Sequence, residues 1–114
     1  MGAVKVKEIN IERGNPTVET ALRNMVNELS TAKGAGFKAA IVIHGYGSTG
    51  TGGAIKEAVK KKLTERSLSG IVRDFAGGED WFSRKREFAG ICTQLKDFNT
   101  YISGNSGITV VLLK

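Results

Sequence analysis

The chain has 114 residues, 40% of them hydrophobic and 25% charged, with a single proline. That is the size and balance of one globular domain rather than of a disordered segment. Seventeen Lys and Arg against eleven Asp and Glu give a formal charge of +6 and a pI near 9.7. This charge suits a polyanionic partner, nucleic acid first, and equally a solvated basic surface. One cysteine excludes an internal disulfide and a cysteine metal cluster. No apolar run nears the roughly 20 residues of a membrane span, and without an export signal a reducing, cytoplasmic setting is expected.

Residues 4–11 read as a first strand. Val4 and Val6 alternate, then Ile9 and Ile11 alternate on the opposite parity, which a bulge or a late strand start would reconcile. Asn15-Pro16 opens a helix, with Asn15 as N-cap, Pro16 at the first helical position and Glu19 in the first turn. Val18, Leu22, Met25, Val26 and Leu29 form its buried stripe, and Lys33-Gly34-Ala35-Gly36 ends it. Ala39, Ala40, Ile41, Val42 and Ile43 make a continuous apolar run, as expected for a strand covered on both faces.

Residues 45–53 then hold five glycines among nine. A loop of this kind allows positive φ and close approach of backbone N–H groups to a ligand. The next helix turns Ile55, Ala58, Val59 and Leu63 inward and Lys56, Lys60, Lys61 and Arg66 mostly outward. Strand, glycine loop and helix N-terminus together make a plausible phosphate site, with His44 at its rim. Residues 69–75 and 107–113 read as two more strands.

Residues 76–106 are the least legible part. They hold the one tryptophan and the cluster Arg84-Lys85-Arg86, flanked by Trp81, Phe82 and Phe88. Local helix or an ordered functional excursion is expected there. The whole is an α/β chain in the order β-α-β-α-β-(insert)-β. We expect one domain over residues 1–114, a two-layer α/β sandwich on a four-stranded mixed sheet with mainly parallel pairing, and an insert at about 76–106.

Gly45-Tyr46-Gly47-Ser48-Thr49-Gly50 matches G-x-G-x-x-G after a strand and before a helix, and Asp74 stands near the spacing of a ribose-binding acid. The motif falls in the second βα unit, however, and the chain is short for two mononucleotide halves. No Gly-Lys-Ser/Thr closes a Walker A loop.

A better fit is the small MutS-related (Smr) domain family. Gly14-Asn15-Pro16-Thr17-Val18-Glu19-Thr20-Ala21-Leu22 resembles the family's segment entering its first helix. His44-Gly45-Tyr46-Gly47 resembles its H/T-G-x-G motif at a strand end. Gly52-Gly53-Ala54-Ile55 and the following helix resemble what comes next, and Gly104-Asn105-Ser106-Gly107 with the final strand resembles its C-terminal turn.

The resemblance implies an α/β sandwich that binds DNA or RNA and in several members cuts it as an endonuclease. The family's first-strand L-D-x-H motif falls on Ile9-Asn10-Ile11-Glu12, so Asn10 replaces the acid and Glu12 the histidine. Binding tolerates this change more easily than cleavage does.

The candidate catalytic residues are therefore His44, as phosphate contact or proton shuttle, and Glu12, as base or ligand. Glu12 would act alone or with Asp74 through a divalent ion, Mg or Mn. The candidate nucleic-acid contacts are His44, Gly45, Tyr46, Gly47, Ser48, Thr49, Lys56, Lys60, Arg84 and Lys85, the last two with nearby aromatics to clamp a single strand. The alternatives are a small-molecule phosphate or nucleotide binder using the same loop, and a partner-binding surface around Trp81.

Overall fold

The computed structural model describes residues 4–14, 16–45 and 52–114. Four strands, β1 (Val6–Asn10), β2 (Ala39–Ile43), β3 (Val72–Gly77) and β4 (Ile108–Leu113), form one mixed sheet in the spatial order β1-β2-β4-β3. The helices α1 (Val18–Gly34) and α2 (Gly52–Leu63) separate the first three strands. β1 runs parallel to β2, while β4 is antiparallel to both β2 and β3. The first three strands thus run one way, as β-α-β-α-β connectivity dictates. The expectation of mainly parallel pairing fails at the last step, because β4 enters from the opposite end and slots between β2 and β3.

β1 needs no bulge. It pairs with β2 in unbroken register from Val6↔Ala39 to Asn10↔Ile43. Its two parities serve two cores: Val6 packs on one face of the sheet, Ile9 and Ile11 on the other. β2 divides in the same way, with Ala40 and Val42 on one face and Ala39 and Ile41 on the other. The bulge lies instead in β3, where the register with β4 shifts between Val72 and Asp74. It leaves Arg73 as the extra residue and lets Val72 and Phe75, three apart, face the same core.

On the first face, α1 contributes Ala21, Met25, Leu29 and Ala32, and α2 contributes Ile55, Val59 and Leu63. Val18, Leu22 and Val26 pack at the margin of this core. α1 begins later than the sequence suggests. Thr17 is its N-cap, accepting from the Thr20 N–H at 3.1 Å, so Pro16 precedes the cap instead of opening the helix. Asn15 lies outside the described residues. At the other end Gly36 takes φ +91°, and Phe37 N–H reaches back to Ala32 O at 3.0 Å, a Schellman closure.

The second face corrects the two-layer expectation. Residues 81–102 form a third layer: α3 (Trp81–Ile91), a 3-10 stretch (Thr93–Phe98) and the single turn α4 (Asn99–Ile102). Trp81, Phe88, Cys92, Leu95 and Ile102 cover Ile41, Ala76, Ile108, Val110 and Leu112. Trp81 and Phe88 meet edge to face at 5.6 Å, and Trp81 Nε1–H donates to Asn99 Oδ1 at 2.9 Å. With both faces covered, all six residues of β4 are buried. The apolar run there has no polar alternation for this reason.

Candidate functional site

The end of the sheet where β2 leaves it is built from five elements. Asn10 closes β1 by accepting from Glu12 N–H at 3.0 Å and Arg13 N–H at 3.1 Å. This is an Asx turn, which an Asn makes as readily as the Asp of the family motif. The turn brings the Glu12 carboxylate onto Gly45. A Cβ at Gly45 would overlap Glu12 Oε2, a side-chain tip that can swing aside, whereas the φ of +81° is what favours glycine here. The two motif positions flagged in the sequence, on β1 and after β2, are thus neighbours.

His44 is fully buried. Its Nδ1 lies 3.1 Å from Gly45 O and its Nε2 lies 2.9 Å from Thr109 Oγ1. A carbonyl only accepts, so Nδ1 carries the proton, and the neutral ring accepts the Thr109 hydroxyl at Nε2. Burial lowers the His44 pKa from its ordinary 6.5; the Gly45 carbonyl opposes this, and the charge of Lys56 adds to it. At neutral pH the ring is uncharged. The Gly107 carbonyl accepts from both His44 N–H and Gly45 N–H at 3.0 Å, so these two amides are already occupied. Tyr46, Gly47, Ser48 and Thr49 lie outside the described residues.

Lys56 and Lys60 on α2 share one partner. Glu79 Oε2 is 2.8 Å from Lys56 Nζ and 3.4 Å from Lys60 Nζ. Burial pushes the Glu79 carboxyl up, but the Lys56 hydrogen bond, its own backbone N–H and the two lysine charges outweigh that and hold it below its ordinary value. Glu79 follows Gly77-Gly78, and Gly78 is packed so closely that a Cβ would overlap the Asn105 and Ile102 carbonyl oxygens.

Arg84 and Lys85 lie on α3, over the other face. Arg84 bonds Asp74 Oδ2 at 2.6 Å and Glu87 Oε1 at 3.0 Å and stacks over Phe88 at 5.0 Å. The Glu87 bond and the Asp74 charge raise its pKa further. Lys85 sits over the exposed Phe82 ring at 5.1 Å.

Among the described candidates, the structure therefore gathers Glu12, His44 and Gly45 at one point, with Lys56 and Lys60 close enough for their charges to act on His44, and leaves Asp74, Arg84 and Lys85 elsewhere. Asp74 is on β3 and Glu12 follows β1, the two opposite edges of the sheet. Three strand spacings, about 14 Å, separate those edges. One ion cannot bridge the two acids. Among the described residues, no group of three or more His, Cys, Asp or Glu is placed to hold a metal. Thr109 and Glu79 are the functional-site residues that sequence reading missed. Each left a trace: Thr109 is the one hydroxyl inside an apolar strand, and Glu79 follows a glycine pair at a strand end.

The family model of the Smr domain matches residues 13–80. The chain belongs to the Smr domain family. Among solved structures it is similar to the Smr domain of Thermus thermophilus MutS2, with 25% identity and a TM-score of 0.61 over 95% of this chain and 98% of that one. A comparison with curated proteins gave no match. The Smr match begins at Arg13, one residue after Glu12, and runs past Glu79, so it takes in His44, Gly45, Lys56 and Lys60 together. No helix among the described residues is long and apolar enough to cross a membrane.

Proposed function

We propose that this Smr domain binds nucleic acid through its phosphate backbone and does not cut it. The observation that carries the reading is the convergence of the two Smr motif positions, Glu12 and His44-Gly45, at the ends of adjacent parallel strands. The net charge of +6 supplies the long-range attraction. His44 serves this site by position. Held between Gly45 O and Thr109 Oγ1, it fixes where the glycine loop leaves the sheet, and its enclosed ring has no exposed face to offer a scissile bond.

For hydrolysis, Glu12 is the exposed carboxylate among the described residues of the β1–β2 junction that would act as base. Little base specificity is expected, because phosphate contacts carry no sequence information.

The test is a titration of fluorescent DNA and RNA oligonucleotides at several salt concentrations, with the products run on a denaturing gel with and without Mg²⁺ or Mn²⁺. Salt-sensitive binding with intact strands is expected. Cut products that disappear in Glu12→Gln would make the domain a nuclease. Binding indifferent to salt, or no binding at all, would remove the nucleic-acid reading.

A further inference from the structure

Lys56, Lys60 and Arg84, three of the cations the sequence assigned to binding, are spent on Glu79, Asp74 and Glu87. A set with no acidic partner lies at the other end of the sheet. Lys33 at the end of α1, Lys38 just before β2, Arg73 in β3 and Lys114 after β4 line one groove of about 510 Å³, floored in part by Phe37 and Leu113. No acidic side chain lines this groove, and none of the four makes an ion pair among the described residues. Lys7 adds a fifth cation nearby, 6.0 Å from the centroid of the Phe37 ring.

The fold holds these charges together by two local devices. The Schellman closure that joins Phe37 N–H to Ala32 O sets Lys33 and Lys38 on either side of a tight turn. The β3 bulge leaves Arg73 without a partner in the β3–β4 register, and Arg73 is the β3 residue that lines the groove.

Four like charges around one concavity raise its potential, concentrate counter-ions and disfavour the compact state unless an anion answers them. The chemistry that answers them is a chain of phosphates. The half-buried Phe37 ring favours a single strand, whose bases have faces to stack on it.

We propose that this groove, roughly 20 Å along β2 from His44, is a second contact surface for the backbone of single-stranded nucleic acid. The proposal rests on the nucleic-acid reading above and adds to it the place where the polyanion's charge is met.

The experiment compares three proteins against short fluorescein-labelled single-stranded DNA and RNA over a range of salt. They are the unaltered chain, the triple variant Lys33→Ala/Lys38→Ala/Arg73→Ala, and a charge-matched triple, Arg23→Ala/Lys61→Ala/Lys96→Ala, drawn from separate exposed positions. Loss of three phosphate contacts lowers the slope of log K against log salt by about 2. We expect that change, with at least about tenfold weaker binding at low salt, in the groove variant, and a clearly smaller change in the scattered one. All six side chains but Arg73 lie outside the strands and every one is exposed, so thermal unfolding should confirm folded protein throughout. Equal losses in the two triples would make the effect one of net charge and overturn the groove. An unchanged groove variant would overturn it while leaving the nucleic-acid reading intact. No binding by the unaltered chain would remove both.

Discussion

The two ends of the sheet carry similar residue types and use them in opposite ways. At the His44 end every charge and ring nitrogen noted above on β2, α2 and β3 has a partner: His44 with Thr109, Lys56 and Lys60 with Glu79. At the Lys38 end the cations face one groove with no acidic side chain in its lining. Among the described residues, the lysines of one end are paired within the fold and those of the other are not. A lysine's presence therefore says little about binding until its partner is known, because pairing within the fold spends the charge that a phosphate would have used.

The sharpest way to break this contrast is at Gly78. An alanine there would drive its Cβ into the Asn105 and Ile102 carbonyls, which belong to the chain's approach to β4 and cannot move as a side-chain tip can. We expect Gly78→Ala to cost about 3 kcal/mol or more, read as a drop in the midpoint of chemical unfolding. A shift under about 1 kcal/mol would show that this end is looser than its packing implies.

His44→Gln should cost about 2–3 kcal/mol, because it disturbs a buried pair of hydrogen bonds with Gly45 and Thr109. It should also change the pH dependence. The folded chain holds the His44 proton less tightly than the unfolded chain does, so the unfolded chain binds more protons below pH 6.5. The contribution is fully present above 6.5 and is lost as pH falls from there toward the lower folded value. His44 is the one histidine in the chain, and the lowered carboxyls of Glu65 and Glu79 lose their contributions only below their ordinary 4.5. Thermal midpoints measured between neutrality and about pH 5.5 should therefore slope in the unaltered protein and flatten in His44→Gln.

Gly45→Ala is expected to cost about 1–2 kcal/mol from the left-handed backbone alone. Adding Glu12→Ala removes the overlap with the carboxylate and leaves the φ strain. The double variant should recover part of the loss and no more.

The smallest effect is the most informative for the comparison. Glu79→Gln should cost under about 1 kcal/mol, since the carboxylate is partly solvated. It frees Lys56 and Lys60, which makes the His44 end resemble the far end. Tighter, more salt-sensitive nucleic-acid binding is expected of it, and unchanged binding would mean that freed charge alone does not make a contact surface.

How much of this the sequence showed depends on which face of the sheet one considers. On the first face the apolar positions of α1 and α2 recur at helical spacing, and Met25, Leu29, Ile55, Val59 and Leu63 fall where their period puts them. On the second face Trp81, Phe88, Cys92, Leu95 and Ile102 are spread over a helix, a 3-10 stretch and a single turn, each with its own pitch. No one period runs through them, so residues 76–106 resembled an insert when they are a layer. The two parities of β1 already announced a second core, since a strand that alternates first one way and then the other has something apolar to meet on each side.

The site was legible where it is local and hidden where it is not. His44-Gly45 and the position of Glu12 follow from short motifs. That His44 is buried follows from Thr109, 65 positions away, and no local pattern reports a contact of that range. The pairing of Lys56 and Lys60 depends on Glu79 in the same way. The cationic groove draws one residue each from four separate elements or turns, and so had no linear signature.

β4 lies between β2 and β3 and is the last of the four strands along the chain. During synthesis, β2 can meet β1 once residues 4–43 have emerged, but β3 has no neighbour in the sheet until residues 108–113 follow it out. At a translation rate of about 5–20 residues per second, β3 waits some seconds for its partner. For that interval the half-made protein presents β2 and β3 as two unsatisfied edges with matching apolar surfaces. The order of manufacture, more than the stability of the finished sheet, sets when this chain most needs protection from its neighbours.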